Sequence, residues 1–155
     1  MKFVIVFSFC FLCQLVSIAQ CDTSIVGEWK ALEVFSDQFY INLETDSSLL
    51  KPALKEKLPD TNSQVKLISQ FKNVYKSAKY IFEKNGSYKY YSMGLVDSGK
   101  YCLDAKLKKI QFLSKNSRGE EVSHNSNSKL ENGLLYMYEK FDNGSFLNLV
   151  LEKRK

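Results

Sequence analysis

The chain has 155 residues, 45% hydrophobic and 25% charged, with a net charge of +5, one histidine and four cysteines. That length and apolar share fit one ordinary domain with a real core and leave no room for a second. A weak positive charge interspersed with acids excludes a nucleic-acid surface, and so few histidines and cysteines exclude a zinc site.

The first segment reads as a leader. Met1-Lys2 is a short positive start, the run from Phe3 to Leu12 is almost wholly apolar, and Ser17-Ile18-Ala19 supplies the small residues that a signal peptidase needs. The expected organisation is a signal peptide over residues 1–19 and a single domain over residues 20–155. The apolar run is too short to span a bilayer and no stop-transfer pattern follows, so no transmembrane segment is expected. The protein is expected to be exported, to the periplasm or beyond the cell. Lipid attachment at Cys21 suits Ile18 and Ala19 but meets Gln20 where a small residue is required.

Cleavage removes Cys10, Cys13 and Lys2, the only charged residue of the leader, and takes +5 to +4. Cys21 and Cys102 remain. In an oxidising compartment they either bridge, tying the N-terminal tail to the wall of the domain, or stay as a lone strand thiol and a tail cysteine.

Residues 24–35 are rich in branched and aromatic side chains and read as the first strand, with Leu32 and Val34 out of phase with Trp29 unless a bulge follows Lys30. Residues 47–78 break the strand pattern. Pro52 opens a first helix that Pro59 stops, and Thr61 with Gln64 forms a capping box for a second, along which Leu67, Ile68, Phe71, Val74, Tyr75 and Ala78 make one apolar face. Strands then return at short spacing. Tyr80 to Lys84 and Ser87 to Tyr91 flank Asn85-Gly86, read as a type I′ hairpin. Gly99 to Leu103 and Leu107 to Leu113 follow. The stretch from Ser114 to Ser128 is polar enough to read as a long exposed loop, with a short strand over residues 127–132. Leu134 to Phe141 and Phe146 to Lys153 close the chain. The sum is a mainly β fold: an antiparallel up-and-down barrel of about eight strands, with a two-helix insertion between strands 1 and 2.

Gly27-Glu28-Trp29, the Tyr80 to Tyr88 hairpin, Ser98-Gly99-Lys100-Tyr101 and a last strand ending in Lys153-Arg154 together resemble the small bacterial lipocalin-like domains of exported proteins. The resemblance covers nearly the whole domain except the helical insertion. It implies that Trp29 seals one end of the barrel, with Gly27 giving the chain room and a terminal cation lying across the indole, Arg154 first and Lys153 second.

An eight-stranded barrel is either filled by its side chains or holds one small ligand. Phe82, Tyr88, Tyr90, Tyr101, Phe112, Tyr136 and Tyr138, with Leu147 and Leu149, are the candidates for lining it, chosen for aromatic or branched character at alternating positions. Nothing points to an enzyme. Glu120, Glu121 and Asp142 lie in polar loops, His124 stands in a Ser/Asn-rich stretch, and there is no phosphate loop or nucleophile elbow. No cofactor or metal is expected. Asn85-Gly86-Ser87 and Asn143-Gly144-Ser145 match a glycosylation acceptor but are also what hairpin turns require. Two readings follow: a carrier of a small hydrophobic molecule in the barrel, or a non-enzymatic interaction module with a filled barrel that meets a protein or the cell envelope through its helices or long loop.

Overall fold

The computed structural model describes residues 21–58 and 60–154, so the leader and the stop at Pro59 lie outside the described residues. The chain runs β1 (Gly27–Ser36), β2 (Phe39–Asn42), β3 (Ser48–Leu50), α1 (Pro52–Lys55), α2 (Thr61–Ser77), β4 (Lys79–Phe82), β5 (Ser87–Ser92), β6 (Leu95–Asp104), β7 (Lys109–Lys115), β8 (Glu121–Glu131), β9 (Leu134–Lys140) and β10 (Phe146–Lys153). From β4 to β10 each strand pairs antiparallel with the next, and β1 closes the ring by pairing with β10 on one edge and β4 on the other. The result is a closed antiparallel barrel of eight strands, with no free edge between β1 and β10.

One edge of β1 is shared. Residues 27–30 pair with β4, while residues 33–35 pair with β2, which pairs in turn with β3. The two short strands were not legible in the sequence. The helices follow them, so the insertion between the first and second barrel strands consists of a strand pair and two helices. The expected bulge is present between Ala31 and Glu33. It turns Val34 inward to complete burial, while Leu32 stays half-buried at the bulge itself.

The turns differ from the reading in an instructive way. At Asn85-Gly86 only Gly86 has a positive φ, of 77°, and its N–H donates to the Glu83 carbonyl at 3.0 Å, so this is a type I turn with a glycine bulge. The type I′ geometry appears instead at Met93-Gly94, where φ is 49° and 81°. The long loop expected from Ser114 to Ser128 is mostly strand. A tight turn at residues 116–120 joins β7 to β8, whose residues 121–127 pair with β7 and residues 127–131 with β9.

Trp29, Phe82, Phe112, Ile110, Leu135, Met137 and Leu151 are essentially inaccessible and fill the barrel. Ile25, on the segment before β1, enters the same core and accepts the Trp29 indole N–H at 2.7 Å. Phe82 lies edge-on to Tyr101 at 4.8 Å, and Phe112 edge-on to Tyr88 at 5.0 Å, a tightly interlocked set of rings. The middle of the barrel is solid.

α2 lies at the end away from Trp29. Its cap is Asp60, one residue before the expected Thr61, with the carboxylate accepting the Ser63 N–H at 2.9 Å. Phe71 stacks on Phe39 at 4.4 Å, Tyr75 and Ile68 pack on the core, and the Ser77 hydroxyl accepts the Met93 N–H at 3.0 Å. Lys72 and Lys76 both reach the Asp46 carboxylate at 3.3 Å.

Candidate functional site

At the Trp29 end it is Lys153, and not the expected Arg154, that lies over the indole. Trp29 and Lys153 are directly paired across β1 and β10, and the Lys153 ammonium lies 5.8 Å from the centre of the indole. Arg154 is one residue on, past the end of the strand. Its backbone N–H donates to the Glu28 carbonyl at 2.8 Å and its guanidinium holds the Glu28 carboxylate at 2.7 Å, keeping that carboxyl below its usual range. Arg154 therefore ties the end of the chain to β1, and Lys153 covers the ring. Gly27, at φ 139°, sits under the Lys153 side chain, which a Cβ there would strike. Cys21 and Cys102 form a disulfide with Cα atoms 5.0 Å apart, which fixes the tail to β6 beside this end, where the Asp22 N–H also donates to Leu103.

The seven aromatic candidates divide into three groups. Phe82 and Tyr101 are packed core, the Tyr101 hydroxyl donating to the Glu83 carbonyl at 3.1 Å. Tyr88, Tyr90 and Phe112 meet around a cavity of about 150 Å³ at the end of the barrel near α2. Tyr136 and Tyr138 stand on the outside, because the inward positions of β9 are Leu135 and Met137. There they line an open groove of about 600 Å³ with Phe35, Asn127, Asn148 and Val150. Leu149 is buried in the core, and Leu147 packs half-buried against it.

The other walls of the inner cavity are Tyr80, Asp97, His124, Met137 and Glu139. Glu139 continues the inward phase of Leu135 and Met137, so β9 delivers a carboxylate into the barrel. Burial pushes its carboxyl above the usual range, and the nearby His124 pulls it partly back. The Tyr80 phenol is driven far above its ordinary range, first by burial and then by Tyr90, Glu139, Tyr75 and Tyr88. Yet Tyr80 keeps accessible surface, as a group deep in the molecule does when it faces a void. Tyr80 and Tyr90 lie ring to ring at 4.6 Å, and the Tyr88 hydroxyl donates to Asp97 at 2.9 Å, its phenol pushed up to about 12 by burial and then by that carboxylate. His124 stacks flat on Phe112, centroids 4.7 Å apart, at the exposed rim.

No family model and no curated protein matches the chain. A solved structure does. It is a DUF4847 family protein from Bacteroides vulgatus, with a TM-score of 0.50 and 9% identity over 83% of this chain and 94% of that one. The likeness is one of fold alone. No helix among the described residues is long and apolar enough to cross a membrane.

Sequence reasoning missed Tyr80, His124 and Glu139. His124 was hidden by the reading of its segment as a loop. Glu139 left a usable signal, the inward phase Leu135, Met137, Glu139 ending on a charge.

Proposed function

We propose that this is an exported, non-catalytic binding protein that holds one small molecule in the cavity at the α2 end of the barrel. The observation that carries the reading is that the barrel, packed with apolar rings through its middle, keeps a pocket at its α2 end and lines it with Tyr80, Tyr90, His124 and Glu139, where apolar side chains would pack at lower cost. Export is supported by the leader expected over residues 1–19 and by the Cys21–Cys102 bridge. The void is smaller than the roughly 300–1,000 Å³ of drug-sized sites, so the ligand is compact, with an apolar body and a polar handle, and is not a lipid chain. A second reading rests on the β5–β6 tip, where Met93, Leu95 and Val96 are 63%, 76% and 59% exposed. In that reading the tip docks on an apolar partner surface.

A screen of mixed-charge fragments followed by amide NMR tests the first reading. Binders are expected to shift Tyr80, Tyr90, Phe112, His124 and Glu139 together. Binders that shift only the β5–β6 tip or the outer groove, leaving those residues still, would overturn it.

A further inference from the structure

The walls of the cavity also indicate what charge its occupant carries. Four rings, those of Tyr80, Tyr88, Tyr90 and Phe112, surround two carboxylates, Glu139 and Asp97, and no lysine or arginine lines the space. The two acids are not equivalent. Asp97 is exposed at the rim and accepts the Tyr88 hydroxyl, whereas Glu139 is half-buried and its carboxylate makes neither a hydrogen bond nor an ion pair among the described residues. A carboxylate held away from water without a counter-charge is costly, and removing water further by seating a neutral molecule beside it makes matters worse. An anion meets two like charges. A cation is the one class that improves every contact, because it neutralises Glu139 and meets the negative faces of the tyrosine rings.

We infer that the cavity takes a small organic cation, an ammonium group on a compact apolar body, with Glu139 as its counter-ion and Tyr80 and Tyr90 as its aromatic wall. The inference rests on the cavity being the binding site proposed above. A void of about 150 Å³ accommodates a body about the size of benzene. His124 is stacked on Phe112 at the rim, within electrostatic range of Glu139. The groups facing Glu139 are Tyr75 on α2, Tyr80 on β4, Tyr88 and Tyr90 on β5, Asp97 on β6 and His124 on β8. Burial holds the Tyr75, Tyr80 and Tyr88 phenols in their protonated form, so Glu139 sets the response: affinity rises as pH rises through its titration, and binding releases protons.

Three probes of one shape separate the possibilities by calorimetry on the purified protein: benzylammonium, benzyl alcohol and benzoate. Benzylammonium is expected to bind at least about tenfold tighter than benzyl alcohol, the scale of one charge-assisted contact, and benzoate weaker than either. Glu139→Gln is expected to abolish the preference for the cation, bringing the affinity for benzylammonium down to about that for benzyl alcohol. In the unsubstituted protein, carbon-detected titration of the Glu139 carboxyl gives an independent reading, and saturation with benzylammonium is expected to lower its midpoint. If the alcohol binds as tightly as the cation and the Glu139 midpoint does not move, the charge assignment falls while the binding site stands. If all three probes leave the cavity residues unshifted, the assignment falls, and it is the fragment screen that decides the site.

Discussion

At Trp29 the difference between two adjacent cations shows how fine a strand argument is. Trp29 pairs with Lys153, and a step of one residue along a strand reverses the face, so Lys153 and Arg154 cannot play the same part. The sequence shows that a basic residue ends the last strand, but the register that chooses between the two is a property of the assembled β1–β10 ladder. Lys153→Ala is expected to cost about 0.5–1 kcal/mol, the size of a cation–aromatic contact near the surface. Arg154→Ala is expected to cost less, since its ion pair with Glu28 is solvated. Gly27→Ala combines two penalties, an unfavourable φ worth about 1–2 kcal/mol and a clash with the Lys153 side chain. Urea unfolding of the single and double variants checks this: the Lys153→Ala background should recover only the steric part, leaving Gly27→Ala destabilising.

At the scale of elements, the strands that were legible are those whose inward face is apolar, such as β1, β5, β7 and β10. β8 was legible only in its last part, residues 127–131, because its inward positions include Ser126 and Ser128, and a strand of serines and asparagines has no hydrophobic period to read. Small side chains belong there for a physical reason. Phe82, Phe112 and Trp29 already occupy the interior, and a barrel of eight strands has space for large residues only where others are small. β2 and β3 escaped notice because strands of four and three residues are too short to show a pattern. The disulfide closes a separation of 81 residues between the tail and β6. Reducing it, or replacing both cysteines by serine, is expected to lower stability by about 2–4 kcal/mol, chiefly by freeing the unfolded chain. Thermal unfolding with and without reductant measures the loss. Ile25 is fully buried and its carbonyl holds the Trp29 indole, so the native tail is expected to stay seated after reduction at moderate temperature, with proteolysis before Ile25 accelerating first.

For the molecule as a whole, Glu139 works against stability, and that is why it marks the site. Its folded carboxyl titrates above the unfolded one, so the folded state holds the proton more tightly. The linkage then has a definite sign: below the unfolded pKa, roughly 4.3, Glu139 is protonated in both states and costs nothing, and its penalty grows as pH rises through the raised folded value. Glu28, Asp46, Asp60 and Glu83 act the opposite way. Their carboxyls are held low by Arg154, by Lys72 and Lys76, by Ser63 and by Ser87, so the stability they contribute is present above the unfolded pKa and fades as pH falls. The acid limb of the stability curve belongs to these surface groups, and only a difference between variants isolates Glu139. Glu139→Gln is expected to melt at the same temperature as the parent near about pH 3 and above it at neutral pH, since glutamine fills the same space without a charge to desolvate. A parent that melts higher than Glu139→Gln at neutral pH would show that the carboxylate is satisfied by the fold itself. The expected outcome, stability gained with the cation preference lost, is what a residue retained for binding at a cost to folding produces.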